Sequence, residues 1–258
     1  MILGFNIGNS NTVLGLYTGT ETLPRDVYRY RTARKASADE LGALVRQFLL
    51  HHGTDAVDGI AFASVVPELN RAYHEMAARY FGSEALEIGH RSRLGIRIRY
   101  DDPSRLGADR IVNAEAAFRE YARDCVIVDV GTAITYCVLH AYGLYDGGII
   151  GPGIGVTIDA LASAASQLPR VPFERPGGLI ARNTIDALKS GFFYGWVSLV
   201  DGMIERICAE YGKRFVIVLT GGDSASVLGP ALAGEVVMDP MLTMKGIRLI
   251  YDLNAGIK

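Results

Sequence analysis

An α/β fold built as two similar lobes is what the sequence predicts, and three observations carry it. A strand, glycine turn and strand occur twice; each copy opens a run of three strands; each run gives way to alternating helices and strands. The first copy is Phe5-Asn6-Ile7-Gly8-Asn9-Ser10-Asn11-Thr12 and the second Val128-Asp129-Val130-Gly131-Thr132-Ala133-Ile134-Thr135. In both, an apolar run ends in an amide or carboxylate residue, with Gly two residues later, then small polar residues and a second apolar stretch. Gly lets such a turn bring backbone N–H groups close to phosphate oxygens, hydroxyls add donors, and a carboxylate can hold a metal ion. Either copy alone reads equally well as a plain tight hairpin. The pair, one at the start of each half, favours phosphate binding, and two such turns facing each other suggest a nucleoside triphosphate clamp.

Strands are expected at 2–7, 12–17 and 27–32, followed by helix, strand, helix, strand. Ser37-Ala-Asp-Glu40 is a capping box, Leu41, Leu44, Val45, Phe48 and Leu49 form one apolar helical face, and Gly53 is a stop signal. A buried strand follows at 58–66, then a helix started by Pro67 with Leu69, Tyr73, Met76 and Tyr80 inward. The second half restarts with strands at 125–130, 133–139 and 146–150 and a helix from about Ile154. A long helical region from Asn183 to Tyr211, a strand at 215–220 and a final helix near 242–253 complete it. Three strands, then alternating helices and strands, twice over, is the plan of the actin-like ATPase (ribonuclease H-like) fold. Its two βββαβαβα lobes, 1–120 and 121–258, are expected to hold an ATP cleft between them, although no low-complexity linker marks the boundary.

Composition excludes several classes. The chain has 258 residues, 49% hydrophobic and 21% charged, enough for one large core or two medium ones. A formal net charge of -2 gives no electrostatic reason to expect nucleic acid or an anionic membrane as partner. No positively charged segment precedes an apolar core at the N-terminus, so no secretory signal is expected. The most apolar long window, Gly147 to Ala165, carries Pro152, Asp159 and five glycines, which is wrong for a membrane span. Cys125, Cys137 and Cys208 lack metal-ligand spacing, and a reducing cytoplasm fits them best. His51, His52, His74, His90 and His140 show no paired metal spacing either and read as structural or solvent-facing. Trp196 with Phe192, Phe193 and Tyr194 reads as core or dimer packing, and 183–207 is the expected dimer interface.

A third segment carries the candidate chemistry: Tyr100-Asp101-Asp102-Pro103-Ser104-Arg105-Leu106-Gly107-Ala108-Asp109-Arg110, opening a helix that continues to Tyr121. Asp109 at a helix N-terminus is either a simple cap or, with Arg110 beside it, a general base for a substrate hydroxyl next to a cation for a carboxylate or phosphoryl group. Residue types alone leave those readings even.

The opening amide-Ile-Gly-Asn-Ser-Asn, Gly107-Ala-Asp-Arg110, Asp129-Val-Gly-Thr132 and Thr220-Gly-Gly-Asp223 occur in this order with these gaps. With Ala63-Ser-Val-Val-Pro67, Gly151-Pro-Gly-Ile154, Leu168-Pro-Arg-Val171, Asn183-Thr-Ile-Asp-Ala187 and the tail from Asp239 to Tyr251, the chain resembles the type III pantothenate kinases end to end. The resemblance implies a cytoplasmic homodimer that phosphorylates pantothenate with ATP and Mg2+, the first step towards coenzyme A, assisted by K+ or NH4+. It implies that Asn6, Ile7, Gly8, Asn9, Ser10, Asn11, Thr12 and Val13, with Thr132, contact ATP phosphates and that Asp129 holds the monovalent cation. It makes Asp109 the base and Tyr100, Gly107, Ala108, Asp109 and Arg110 the pantothenate-binding set, completed by Thr184 from the dimer partner. Without the family order, Tyr100 reads as a half-buried strand aromatic, Thr184 as a helix cap and Gly221-Gly222 as a strand-to-helix turn.

The chain departs from the family pattern at Asn6, where that pattern has Asp. An Asn keeps an oxygen acceptor and the shape but attracts a divalent ion less. The departure keeps open a non-catalytic, nucleotide-binding regulator of the same family. A kinase for sugars or acetate on the same fold would share the turns but not Gly107-Ala-Asp-Arg110.

Overall fold

The computed structural model describes residues 1–53 and 56–256. The chain forms two compact units, Met1–Glu120 with Met241–Lys258, and Tyr121–Pro240.

In the first unit β1 (Ile2–Ile7), β2 (Asn11–Tyr17) and β3 (Asp26–Arg31) form an antiparallel meander, followed by α1 (Ala38–Leu50), β4 (Gly59–Ser64), α2 (Pro67–Phe81) and β5 (Ala85–Ile88). The sheet order is β3-β2-β1-β4-β5, with β4 parallel to β1 and β5 parallel to β4. β1 alternates because it is central: Leu3, Phe5 and Ile7 are fully buried on one face, under Leu41, Val45 and Leu49 of α1 and Leu69, Tyr73 and Met76 of α2. The Phe5 and Tyr73 rings meet edge to face at 5.2 Å. The Ser37 capping box forms as expected, its hydroxyl accepting from Glu40 N at 3.2 Å while Glu40 Oε2 accepts from Ser37 N at 2.8 Å. Tyr80 is only half-buried; its ring lies against Gly42, and its hydroxyl donates to Asp39 at 2.9 Å. A short strand, β6 (Arg97–Ile98), and a 3-10 turn at Pro103–Arg105 lead into α3 (Ala108–Tyr121).

The second unit opens with the meander β7 (Cys125–Val130), β8 (Ala133–Leu139) and β9 (Leu144–Pro152). α4 (Ile154–Ala164), α5 (Thr184–Tyr211), β10 (Val216–Gly221), α6 (Asp223–Leu228) and β11 (Val236–Met238) follow. The strands of this unit run β11-β10-β7-β8-β9, with β10 parallel to β7 and β11 parallel to β10. This is the strand order of the first unit repeated. Its core joins Val126, Val128, Ile134 and Tyr136 to Ile154 and Ile158 of α4 and Trp196, Val200 and Ile204 of α5.

The closing helix, α7 (Leu242–Ala255), differs from the sequence reading, which placed 121–258 in one lobe. By its contacts α7 goes with residues 1–120. It covers the β1 face opposite α1 and α2: Tyr17 Oη donates to Met244 O at 2.7 Å, and Gly4 lies against Ile247, where a Cβ would come within 2.9 Å. Gly246 packs onto Val112 O of α3 so closely that no side chain fits. An amphipathic helix declares that it must cover something, and its own pattern does not say which sheet.

Among the described residues, no helix is long and apolar enough to cross a membrane.

Candidate active site

In each unit the glycine turn lies where parallel strands end, the edge at which open α/β sheets collect ligands. After β1, the register Ile7↔Thr12 leaves Gly8 to Asn11 as the turn, closed by Gly8 N donating to Asn11 O at 3.1 Å. Asn9, Ser10 and Asn11 are exposed. Ile7 is buried in the core, so it presents only backbone, and Thr12 is buried with its hydroxyl 2.9 Å from that of Thr32. Thr32 braces the turn from β3's end: its hydroxyl donates to Gly8 O at 2.7 Å, and its N–H donates to Ser10 O at 3.0 Å. Arg34 adds a bond to Asn9 Oδ1 at 2.6 Å and an ion pair to Glu68 at 2.9 Å. Neither Thr32 nor Arg34 was singled out in the sequence, because a Thr or Arg after a strand has no distinctive pattern.

Beside this turn, Val65 N donates to Ile7 O at 3.0 Å, and the Val65 side chain lies 3.7 Å from where a Gly107 Cβ would stand. The N-terminus of α3 is thereby set at the same edge. Gly107 is required there, because a Cβ would collide with Asp109 Oδ1. Asp109 Oδ1 accepts from Arg110 N at 2.8 Å. Burial pushes the Asp109 carboxyl above the usual carboxylate range, opposed by the Arg110 N–H and guanidinium. Arg110 is buried, with its guanidinium 5.8 Å from the centre of the half-buried Tyr100 ring. Tyr100, Gly107, Asp109 and Arg110 therefore form one cluster in the first unit, and Ala108, buried as the first residue of α3, seats it.

In the second unit, Val130↔Ile134 leaves Gly131 to Ala133 as the turn, closed by Gly131 N donating to Ala133 O at 2.9 Å. Two glycines press on it. Gly153, from the Gly151-Pro-Gly segment, sits so close that a Cβ would strike Gly131 O and come within 2.5 Å of Thr132 O. Gly221, at φ +125°, has no room for a Cβ against Val130 O, and Gly222 N donates to that same oxygen at 3.2 Å. The Gly221-Gly222 turn therefore shapes the phosphate-type turn as well as starting α6. Asp129 is half-buried and Thr132 exposed. Asp129 Oδ1 lies 4.0 Å from where a Gly131 Cβ would stand, and a carboxylate oxygen is a donor suited to a hard cation. Asn6 carries a neutral amide in place of a carboxylate, and no group of three or more His, Cys, Asp or Glu suited to a metal ion occurs among the described residues.

Thr184 begins α5, with Asn183 as the cap, its Oδ1 accepting from Asp186 N at 2.9 Å. Thr184 is exposed and borders a hollow of about 650 Å3 lined also by Leu161, Leu168, Leu188 and Phe192. The three cysteines are buried and form no disulfide among the described residues, and burial pushes the Cys125 thiol up to about 12. His140 is buried between Asp146 at 3.1 Å and the Lys213 ammonium at 3.2 Å, away from either turn in the sequence.

Two repeats of one sheet topology, each with a glycine turn after its first strand, define the actin-like ATPase and sugar kinase fold class. A ROK family glucokinase from Streptomyces griseus, solved with glucose and AMPPNP, shares this fold at TM-score 0.59 and 10% identity, over 99% of each chain. A conserved putative Baf family transcriptional activator from Campylobacter jejuni does so at TM-score 0.61 and 21% identity, over 98% of this chain and 99% of that one. Both likenesses speak for the fold alone. The family model described as type III pantothenate kinase matches residues 2–206. A type III pantothenate kinase of Brevibacillus brevis is 42% identical over 256 residues, 98% of this chain and 99% of that protein. The chain belongs to the type III pantothenate kinases.

Proposed function

We propose that this kinase phosphorylates pantothenate with ATP, the entry step to coenzyme A, with Asp109 as general base; the observation that carries the mechanism is the Tyr100, Gly107, Asp109 and Arg110 cluster. Its raised pKa suits Asp109 to taking the proton from the pantothenate hydroxyl as that oxygen attacks the γ-phosphoryl group in line. Arg110, buried and held against Tyr100, supplies a fixed cation for the pantothenate carboxylate. The exposed turn residues Asn9 to Asn11, with the Ser10 and Thr132 hydroxyls, orient the ATP phosphates. Magnesium on ATP would supply charge neutralisation, and Asp129 would hold K+ or NH4+.

Association into a homodimer through α5 is supported by the helix itself. Its inner face buries Phe193, Trp196, Val200 and Ile204, while Ile185, Gly191, Gly195 and Leu199 lie exposed on the other. Nothing lies within 4 Å of where a Cβ of Gly191 or Gly195 would stand, so a second helix has room to approach. In that dimer Thr184 completes the pantothenate pocket across the interface. A formal net charge of -2 favours an enzyme whose partners are neither nucleic acid nor an anionic membrane.

The test is ADP release from ATP and magnesium with and without pantothenate, in potassium and in sodium. Pantothenate-dependent release that is higher in potassium is expected; ATP binding without turnover would favour the regulator reading that Asn6 keeps open. Asp109→Asn is expected to lower kcat by about 10²–10⁴-fold. In the parent enzyme kcat/KM falls as pH drops through the raised pKa, at a higher pH than an ordinary carboxylate would give. The stability sign is opposite. A raised folded-state pKa contributes stability below the unfolded value and loses it as pH rises through the folded one. Asp109→Asn is therefore expected to raise Tm at neutral pH while lowering turnover.

A further inference from the structure

The segment that delivers Tyr100 is held by side chains reaching out of two helices. Asn254 of α7 clasps Arg93 on both sides, its Oδ1 accepting from Arg93 N at 2.9 Å and its Nδ2 donating to Arg93 O at 3.0 Å. Two residues on, Glu115 of α3 takes over. Its Oε2 accepts from Gly95 N at 2.8 Å and Ile96 N at 3.2 Å, and its Oε1 accepts from Arg119 Nε at 3.0 Å. Glu115 is 0% exposed, and a carboxylate is kept in such a place only when its oxygens are satisfied. Gly95 fits the tie, since a Cβ there would stand 2.5 Å from Glu115 Oε1 and 2.6 Å from an Arg119 nitrogen.

Glu115 lies on the helix whose first turn carries Asp109 and Arg110. It therefore fixes the chain leading to Tyr100 to the same rigid body that holds the base and the cation. We infer that Glu115 is a positioning residue for the pantothenate half-site: through Gly95 and Ile96 it sets the placement of Tyr100 over Arg110, and so governs pantothenate binding without touching substrate. The inference rests on the reading of Tyr100 and Arg110 as pantothenate-binding. The ATP-side turn after β1 is braced separately, by Thr32 and Arg34, so the two substrates respond differently to loss of the tie.

The experiment measures both KM values and kcat for Glu115→Gln, Gly95→Ala and Tyr100→Ala in the full-length enzyme, together with hydrogen exchange at the Gly95 and Ile96 amides. Glu115→Gln keeps the shape but offers one acceptor oxygen and an NH2 in place of two acceptors, so exchange at these amides accelerates. With it, KM for pantothenate rises about tenfold while KM for ATP stays within about twofold, as loss of a charge-assisted bond implies. Gly95→Ala crowds the tie from the other side with the carboxylate intact and gives the same split, which covers the case in which Glu115→Gln fails to fold. Unchanged exchange, or accelerated exchange with equal effects on both KM values, overturns the role of Glu115. Tyr100→Ala isolates the underlying reading: if it leaves KM for pantothenate unchanged, the assignment of Tyr100 fails. If it raises that KM while Glu115→Gln and Gly95→Ala do not, the positioning role alone fails.

Discussion

The two glycine turns occupy the same place in two copies of one sheet, yet they are held by different means. The first is one residue longer, closing between Ile7 and Thr12, where the second closes between Val130 and Ile134. Side-chain hydrogen bonds from Thr32 and Arg34 hold the first. Backbone packing holds the second, with Gly153 and Gly221 set against its carbonyl oxygens. The first carries the neutral Asn6 and the second the carboxylate Asp129 at the matching position two residues before Gly. A turn built on side-chain bonds can be weakened by degrees. One built on glycine contact tolerates nothing larger, because displaced backbone has nowhere to go.

The sharpest way to break the comparison is Gly221→Ala. The residue would carry a side chain at φ +125° with its Cβ against Val130 O, which costs about 3 kcal/mol or more when strain and overlap combine. Loss of most soluble folded protein, or a fall in Tm of many degrees by calorimetry, is expected; a parent-like Tm would show that the second turn yields as readily as the first. Next in size is Asn6→Asp, which gives the first turn the charge of the second. Turnover is expected to rise and the magnesium concentration for half-maximal rate to fall; no change in either, measured across a magnesium titration, would sink the idea that charge at this position organises the divalent ion. The smallest effect is Thr32→Val, which removes the bonds to Gly8 O and Thr12 while keeping the volume. About 1–2 kcal/mol of stability and a few-fold rise in KM for ATP are expected, with KM for pantothenate unaffected. Denaturant unfolding and steady-state kinetics check both.

Much of this was legible in the sequence. The strands at 2–7 and 125–130, the Ser37 capping box, Pro67 at a helix start and Asn183 before the long helix all lie within a residue or two of where they were expected. Such signals act over one or two turns of chain, where capping geometry and strand alternation decide the outcome. The shortest piece was missed: β11 is 3 residues long, too short to show a period, whereas the helix after Gly221-Gly222 begins where a strand-to-helix turn put it. Tyr80, expected inward with its helical face, instead lies across Gly42 at the surface, since α1 leaves space there only beside a residue without a side chain. In the candidate site, Asp109 and Arg110 could be named from order and spacing. Glu115 could not, because a Glu in mid-helix looks like any solvated charge until the fold brings Gly95 and Ile96 over it.

By itself the sequence determined the doubled α/β plan, the two glycine turns and the family, because each is written in local pattern or in the order of motifs along the chain. Only the tertiary structure decided that α7 covers the first sheet, that Gly153 and Gly221 shape the second turn, and that Thr32 and Glu115 tie down the turn after β1 and the chain at Gly95 and Ile96. Those outcomes depend on contacts between residues far apart in the chain, and packing selects them only when whole elements meet.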